Sequence, residues 1–329
     1  LFVTCNQIKE NVSTEIEKVA FYIPKEKPSK FNSLTIPYLR DRKYNSSLDE
    51  LEQFDVNPQY TTYVTSYDSD GLKINGLLTI PSGNEPESGW PAIVFIHGYI
   101  PPSEYSTTNR YESYIDYLAR NDYVVFKIDL RGHGNSEGIP SGAYFSGDYI
   151  IDTLNAYNAL QSADFVDEKN IGLWGHSMGG NVVFRSSVAK QNIPATVIWA
   201  GAVFTYEDFE QYEIQDNTYR RPDEDSERRQ KRNELREMHG EFDPENKFWQ
   251  KVVPTKYLED VQTAIQLNHA VNDAVVDIGY SRNLTNLLEN TSITYELIEY
   301  QTGGHNIAGD DFVPAMVNTV RFFDNYLKN

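Results

Sequence analysis

The sequence predicts an α/β fold in which helices cover both faces of a mostly parallel central sheet and a helical insertion interrupts the pattern. Three observations predict it: a β-rich pair of segments between residues 60 and 81, apolar strands that alternate with amphipathic helices from residue 92 onward, and a charged segment that breaks this alternation after residue 203. Strands that are apolar on both faces need a cover on both faces, which crossover helices provide in a parallel sheet.

The first predicted elements are the two strands of a hairpin, at residues 60–67 and 72–81. Both segments are rich in β-branched and aromatic residues, and the short segment between them ends in Asp70-Gly71. Aspartate and glycine between two such segments are typical of a hairpin turn. We therefore expect an antiparallel pair at the start of the ordered part of the chain.

From residue 92 onward, predicted strands and helices alternate. Each strand is a short apolar run, and each helix carries apolar residues at a spacing of three and four. The predicted strands span residues 92–96, 123–128, 171–174, 195–199, 264–267 and 293–300. The predicted helices span residues 111–120, 148–160, 181–190, 279–289 and 312–327.

An insertion separates the fourth and fifth of these strands. Residues 220–237 mix both charges densely and contain few apolar side chains, which predicts a solvent-facing helix. We divide the chain into an N-terminal tether and extension at 1–58, a main domain formed by 59–203 and 257–329, and a cap insertion at 204–256.

Composition excludes several classes of function. Of the 329 residues, 40% are hydrophobic, which suffices for one large core. The 48 acidic residues outnumber the 29 Lys and Arg, and a net charge of −19 argues against binding nucleic acid. With Cys5 as the single cysteine and no His-Glu-x-x-His pattern, neither a disulfide nor these common zinc sites can form within the chain. We expect no metal and no cofactor.

The N-terminal segment has two interpretations. Its first residues resemble the end of a bacterial lipoprotein signal, in which the cysteine, here Cys5, is lipidated, although Thr4 stands where a smaller residue is usual. Residues 6–30 would then form a tether from a membrane surface, and the protein would be exported. The alternative is an incidental cysteine in a frayed terminus of a cytoplasmic protein. No run approaches the roughly 18 apolar residues of a membrane-spanning helix.

A Gly-x-Ser-x-Gly pattern with Ser177 at its centre follows the predicted strand 171–174 directly, and a predicted helix begins after it. This strand–turn–helix context is what a nucleophile elbow requires. The serine of an elbow lies on a tight, strained turn, so that glycine is needed on both sides, here at Gly175 and Gly179. We therefore predict Ser177 as a nucleophile.

A serine hydroxyl needs a neighbouring base that is itself oriented by a carboxylate. Asp273 follows the predicted strand 264–267, and His305 follows the predicted strand 293–300. Both therefore fall at the carboxyl edge of the sheet, where Ser177 lies and where open parallel sheets place active sites. The order Ser, Asp, His along the chain is the one this kind of elbow uses.

Three nearby residues are alternatives that we rank lower. Asp277 competes with Asp273 for the role of the acid, but it precedes a predicted helix, where capping explains it. His269 ends a strand, and His176 is the variable residue of the elbow, so we expect structural roles for both histidines.

Two backbone N–H groups are predicted to bind the oxyanion of a tetrahedral intermediate. Met178 follows the nucleophile directly. Tyr99 follows Gly98 in the turn after the strand 92–96. Two prolines come soon after it in that turn, and a proline nitrogen cannot donate a hydrogen bond.

Taken together, these motifs resemble the α/β-hydrolase superfamily. They are His-Gly at 97–98, the Asp-Leu-Arg-Gly-His-Gly segment that opens 129–138, the elbow at 175–180, Asp273 and His305. The chain is most similar to the prolyl-oligopeptidase-like branch of compact serine hydrolases and esterases. The resemblance implies the α/β-hydrolase fold and gives the 129–138 segment a structural role.

The resemblance also bears on substrate class. In that branch the peptidases carry a large β-propeller before the hydrolase domain, and the residues that precede Tyr60 in this sequence are too few to form one. We predict a serine carboxylesterase that acts on a small-molecule ester through an acyl-enzyme. The alternatives are a serine aminopeptidase or amidase with the same residues, and a surface lipoprotein that only binds a ligand. The oligomeric state stays open.

The predicted cap contains a basic cluster, Arg228-Arg229-Gln230-Lys231-Arg232. In a chain of net charge −19 this cluster could attract an anionic substrate. Alternatively, neighbouring acidic residues balance it on a solvated helix.

Overall fold

The computed structural model describes residues 30–328 of the chain. Cys5 and the tether predicted to follow it, as far as residue 29, lie outside the described residues. Among residues 30–328, no helix combines the length and the apolar character that crossing a membrane requires.

Within the described residues, nine strands form one sheet. They are β1 (Glu52–Val56), β2 (Tyr60–Ser69), β3 (Leu72–Pro81), β4 (Trp90–Ile96), β5 (Val124–Ile128), β6 (Val166–His176), β7 (Ala195–Trp199), β8 (Ala264–Ala270) and β9 (Tyr295–Tyr300). Their spatial order is β1-β2-β3-β5-β4-β6-β7-β8-β9. The first three strands and the β3–β5 pair are antiparallel, and every pair from β5 through β4 to β9 is parallel.

The helices lie on both faces of this sheet. They are α1 (Ile36–Asp41), α2 (Glu112–Ala119), α3 (Asp148–Gln161), α4 (Met178–Ala189), α5 (Asp208–Gln211), α6 (Glu227–His239), α7 (Lys247–Val252), α8 (Gly279–Leu288) and α9 (Phe312–Leu327). Buried residues of α3, α4 and α8 form one hydrophobic core with the sheet, and those of α2 and α9 form a second core on the opposite face. The predicted α/β-hydrolase fold is therefore confirmed.

The predicted hairpin is also confirmed. Tyr60 pairs with Pro81 at its open end and Ser69 pairs with Leu72 next to the turn. The two turn residues, Asp70 and Gly71, both have positive φ angles, of 56° and 82°. Such a turn matches the right-handed twist of the strands, which is why an Asp-Gly pair marks it in the sequence.

Residues 30–58 contain structure that the sequence analysis did not predict. Helix α1 buries Ile36 and Leu39 completely in the main core. Strand β1 adds an edge to the sheet, and all five of its residues are exposed. The extension therefore contributes both a strand and core residues to the main domain. The boundary drawn at residue 58 stays a prediction.

The insertion between β7 and β8 contains the short helices α5 and α7 and the predicted charged helix α6. Leu235 is the buried residue of α6, and it packs in a small hydrophobic cluster with Trp249 of α7 and Leu34 of the N-terminal segment. The insertion is tied to the loop after β8, because Ile214 bridges Val276. It thus rests on the sheet edge where Asp273 lies.

Candidate active site

Ser177 stands at the turn between β6 and α4, with φ 54° and ψ −120°, a conformation that L-residues rarely adopt. Its N–H donates to the carbonyl of Trp199 at 2.8 Å. A Cβ atom at Gly175 would lie 2.4 Å from the carbonyl oxygen of Gly179, and one at Gly179 would lie 2.4 Å from that of Ile96. The glycines on both sides are therefore required by the packing, as predicted for an elbow.

The structure brings Asp273 and His305 together. His305 Nδ1 lies 2.8 Å from Asp273 Oδ2, and the side chain of Asp273 is fully buried. Asp273 Oδ1 accepts two backbone N–H groups, from Val275 at 2.8 Å and from Val276 at 3.0 Å. Burial by itself would raise the pKa of Asp273, but the hydrogen bonds from His269 and His305 outweigh it and hold this pKa well below its usual value. The carboxylate is thus charged and fixed in orientation.

His269 is a second histidine on the same carboxylate. It is fully buried, and its Nε2 lies 3.2 Å from Asp273 Oδ2 and 3.0 Å from the carbonyl oxygen of Val276. Because that carbonyl can only accept, Nε2 carries the proton, and Nδ1 accepts from the hydroxyl of Ser281 at 2.8 Å. His269 therefore has the structural role predicted for it, and it also positions Asp273, which the sequence analysis did not foresee.

His176 connects two loops of the site. Its Nε2 donates to the carbonyl of His305 at 2.9 Å, and its Nδ1 accepts from the hydroxyl of Tyr111 at 2.7 Å. The same hydroxyl accepts the N–H of Gly98 at 2.9 Å. Burial, followed by the charge of His305, lowers the pKa of His176 to about 3, so the ring is neutral and can play both roles. A continuous chain of hydrogen bonds thus joins the turn after β4 to the loop that carries His305.

Tyr111 is the member of this hydrogen-bond chain that the sequence analysis missed. It precedes α2 and has a left-handed conformation with φ 62°. For a residue with a side chain this conformation costs about 1–2 kcal/mol. Its hydroxyl contacts residues 13 and 65 positions away, and no local pattern in the sequence reports such contacts.

The two backbone N–H groups predicted to bind an oxyanion lie next to Ser177 in the structure. A Cβ atom at Gly98 would be 3.2 Å from the Cβ atom of Ser177, so the turn after β4 touches the nucleophile elbow. The N–H of Gly98 is bound to Tyr111, whereas none of residues 30–328 accepts a hydrogen bond from the N–H of Tyr99 or of Met178. These two donors are therefore free to bind another group.

The alternatives ranked lower have local roles. Asp277 Oδ1 accepts the N–H of Gly279 at 2.6 Å, which is the capping interaction expected at the start of α8.

The loop at 129–138 is held by a buried ion pair of 2.6 Å between Arg131 and Asp152 and by a hydrogen bond of 2.7 Å from the hydroxyl of Tyr105 to Asp129. These bonds give the loop the structural role that the resemblance implies.

A cavity of about 740 Å³ opens beside Ser177, Tyr99 and Met178. Its walls come from the N-terminal segment, the loop at 139–148 and the insertion, whose Tyr206, Phe209 and Phe242 are aromatic. Arg228, Lys231 and Arg232 of the basic cluster also line it, whereas the acidic run at 223–225 does not. Within the described part of the chain, no three His, Cys, Asp or Glu side chains are grouped closely enough to bind a metal ion.

Comparisons with known proteins agree with this architecture. The family model described as "BAAT / Acyl-CoA thioester hydrolase C terminal" matches residues 154–325, which is more than half of the chain, and the model "Serine aminopeptidase, S33" matches residues 90–215. The chain is 26% identical over 265 residues to the "Uncharacterized peptidase YuxL" of Bacillus subtilis, an alignment that covers 76% of this chain and 36% of that relative.

A second relative, the "Thiohydrolase aneE" of Aspergillus aculeatus, is 32% identical over 111 residues, 34% of this chain and 32% of that protein. The chain thus spans about a third of the length of the curated relatives it matches.

Solved structures resemble the fold at low sequence identity. Acetyl xylan esterase 1 from Thermoanaerobacterium sp. JW/SL YS485 superposes with a TM-score of 0.59 at 15% identity, over 87% of this chain and 90% of that chain. Dipeptidyl peptidase 4 of Porphyromonas gingivalis superposes with a TM-score of 0.63 at 18% identity, over 82% and 36%. Because the family model matches residues 154–325, the chain belongs to the BAAT / acyl-CoA thioester hydrolase C-terminal family, within the α/β-hydrolase superfamily.

Proposed function

We propose that this protein is a serine hydrolase that cleaves carboxylic esters, with Ser177 as the nucleophile, His305 as the general base and Asp273 as the carboxylate that orients His305. The observation that carries the proposal is the 2.8 Å contact between His305 and the buried Asp273, together with the strained nucleophile-elbow conformation of Ser177, whose neighbour His176 has its ring 4.6 Å from that of His305. A buried carboxylate with this partner fixes the tautomer that leaves His305 Nε2 free to accept a proton.

The reaction follows from these roles. Ser177 Oγ attacks the ester carbonyl while His305 Nε2 takes its proton, and the carbonyl oxygen becomes an oxyanion that the N–H groups of Tyr99 and Met178 bind. The C–O bond to the alcohol then breaks, the alcohol leaves with the proton from His305, and the acyl group stays on Ser177. Water, deprotonated by His305, attacks the acyl-enzyme and releases the carboxylic acid and the free serine.

Tyr99 ties this site to the insertion, and for this reason we assign residues 204–256 as a cap. The Tyr99 hydroxyl accepts the N–H of Arg220 at 3.1 Å, and its ring lies 5.4 Å from that of Tyr219. Tyr99, whose backbone N–H we assign to the oxyanion, therefore connects the insertion directly to the proposed site.

The second candidate function is a serine aminopeptidase, which the match to that family model over residues 90–215 favours. An aminopeptidase needs carboxylates opposite the nucleophile to bind the substrate's ammonium group. Three carboxylates of the insertion, Glu210, Asp216 and Glu241, line the cavity. Asp216 is engaged by the N–H of Thr218 at 2.8 Å, and Glu241 pairs with Arg236 at 3.0 Å. An amine must also be protonated before it leaves, so an amide makes stricter demands on His305 than an activated ester does.

Two measurements on the purified protein test the proposal. A fluorophosphonate probe should label the wild type and should not label Ser177→Ala, and 4-nitrophenyl butyrate should have a much higher kcat/KM than aminoacyl and dipeptidyl 4-nitroanilides. Labelling that persists in Ser177→Ala would place the nucleophile elsewhere. No labelling and no turnover in the wild type would indicate a protein that only binds its ligand, and an anilide that matches the ester would favour the aminopeptidase.

A further inference from the structure

Two arginine side chains of α6, Arg228 and Arg232, line the cavity beside Ser177, and neither forms an ion pair with any of residues 30–328. We propose that they bind an anionic group of the substrate, so that the esters cleaved at Ser177 carry a carboxylate or a phosphate remote from the ester bond. This inference rests on the proposed function and names its substrate class.

Arg228 faces the loop that forms the opposite wall of the cavity. A Cβ atom at Gly142 would lie 2.8 Å from the guanidinium of Arg228, and the φ angle of Gly142 is +79°, so a glycine leaves the room that this side chain occupies. The side chain is half-buried. Across residues 30–328, no carboxylate or carbonyl oxygen forms an ion pair or a hydrogen bond with it.

Arg232 lies one turn further along α6 on the same side. Its guanidinium covers the ring of Phe145 at 4.2 Å from the centroid, and its buried Nε has no hydrogen-bond partner among the described residues. Burial, and then the positive charge of Arg236, lower its pKa, and the opposing effects of Tyr219 and Glu241 are smaller. Two cations on one side of a helix that are partly desolvated and form no ion pair are costly, and an anion between them would remove this cost.

The other charges at this wall are already engaged. On α6 itself, Arg229 pairs with Glu224 at 3.0 Å and Lys231 pairs with Glu227 at 2.9 Å.

The acidic residues that line the cavity form no ion pair with the two arginines. Asp148 lies 3.5 Å from Arg131, Glu241 pairs with Arg236 at 3.0 Å and acts on Arg232 only through its charge, Asp216 accepts the N–H of Thr218, and Glu210 is exposed. Within the described part of the chain, these two cations are therefore left without an ion pair at the cavity that contains Ser177.

Guanidinium groups select oxygen anions of a particular shape. Their planar fork donates two parallel hydrogen bonds to a carboxylate or a phosphate, which gives both affinity and orientation. Such a group could belong to the acyl part, as in a half-ester of a dicarboxylic acid, or to the alcohol or thiol part, as a phosphate. The shared requirement is an oxygen anion that reaches α6 while the carbonyl lies at Ser177.

Two matched substrate pairs test this requirement and separate the two sources. The acyl arm compares 4-nitrophenyl hydrogen adipate with its neutral methyl ester, 4-nitrophenyl methyl adipate. The thiol arm compares the butyryl thioesters of 4′-phosphopantetheine and of pantetheine. In each arm the readout is the ratio of kcat/KM for the anionic member to that for the neutral member, measured on the wild type, Arg228→Gln, Arg232→Gln and Arg229→Gln.

Hydrogen bonds between charged groups contribute substantially to the binding free energy of the anionic substrate. Loss of either arginine should therefore lower the ratio by about tenfold or more. We expect a wild-type ratio above about 10 in at least one arm, which falls toward one in Arg228→Gln and Arg232→Gln because KM for the anionic member rises. Arg229→Gln, on the same helix but paired with Glu224, should keep the wild-type ratio. The arm that shows the effect identifies the position of the anion.

Ratios near one in both arms, or an equal fall in Arg229→Gln, would overturn the inference. The neutral substrates separate this failure from failure of the proposed function. Turnover of the neutral ester that depends on Ser177 leaves the hydrolase assignment standing, whereas absence of any turnover or fluorophosphonate labelling refutes both. A variant that fails to fold loses activity on both members of a pair, whereas loss of the anion site lowers the ratio alone. Arg228→Lys and Arg232→Lys keep the positive charge and should restore part of the preference for the anionic member.

Discussion

Replacing Tyr111 by phenylalanine tests whether the hydrogen-bond chain behind Ser177 positions the site. The hydroxyl bridges the N–H of Gly98 at 2.9 Å and Nδ1 of His176 at 2.7 Å, so its removal leaves two buried polar groups without a partner. An unpaired buried group costs about 1–3 kcal/mol, and we expect the free energy of unfolding to fall by about 2–4 kcal/mol.

The same substitution should reduce catalysis more than binding. Gly98 precedes Tyr99, the proposed oxyanion donor, and His176 donates to the carbonyl of His305, so both loops lose a tether. A displacement of about 1 Å near the reacting atoms can cost about 100-fold in rate, and the loss should appear in kcat with little change in KM. Urea unfolding and kinetics with 4-nitrophenyl butyrate measure the two effects.

Tyr117→Phe is the matched control, because Tyr117 lies on α2, the helix that Tyr111 precedes, and packs against the same core. It should keep both the stability and the kcat of the wild type. If Tyr111→Phe behaved like Tyr117→Phe in both assays, the chain of hydrogen bonds would have no role in positioning the site.

Three further predictions follow from the structure. Asp273→Asn should lower kcat by about 10⁴-fold, because four N–H donors face its two carboxylate oxygens and an amide replaces one of these oxygens with an NH₂ group. Asp277→Asn keeps the oxygen that accepts the N–H of Gly279 and should change kcat little; steady-state kinetics that reversed this ranking would reassign the acid. Gly179→Ala should abolish soluble expression or reduce the free energy of unfolding by more than about 3 kcal/mol, since its methyl group would lie 2.4 Å from a carbonyl oxygen, and circular dichroism during urea unfolding would detect it; an unperturbed variant would contradict the packing described for the elbow. The free energy of unfolding should decrease as the pH falls from about 6.5 toward 4, by up to about 1.4 kcal/mol per pH unit for each buried histidine, because the folded pKa is lowered and only the unfolded chain binds these protons; a flat profile by urea unfolding would refute it. The histidines concerned are His97, His133 and His176.

The regular elements of the main domain could be predicted because their residues repeat a local pattern. Strand 195–199 and helix 312–327 have the predicted bounds in the structure, since each is a short apolar run or an amphipathic period with clear ends. Ser177, Asp273 and His305 could be singled out for a related reason, because each follows directly on a strand of a parallel sheet, and topology then brings strand ends to one edge.

The N-terminal elements could not be predicted in the same way. Every residue of β1 is exposed, and its two apolar residues, Phe54 and Val56, form too short a pattern to predict a strand. Helix α1 has only six residues, and the burial of Ile36 and Leu39 depends on a core formed by residues far along the chain. In both cases tertiary contacts decide the structure, and the local sequence does not record them.

The same limit applies to the polar residues behind the site. The contact between His269 and Asp273 depends on the exact course of one loop, and the basic cluster on α6 divides into residues that line the cavity and residues that pair outside it. Arg228 and Arg232 are four residues apart and share one face of α6, but which face meets the cavity is determined by the packing of Leu235 and Trp249.

Trapping the acyl-enzyme tests the central proposal most directly. The wild type is mixed with excess 4-nitrophenyl butyrate, quenched with acid within the first turnovers, digested and analysed by peptide mass spectrometry. The proposed mechanism predicts a butyryl group on Ser177 itself, found in the peptide that contains this residue, and no adduct in Ser177→Ala. Turnover of the ester by the wild type with the acyl group on another residue, or steady turnover by Ser177→Ala at the wild-type rate, would contradict it.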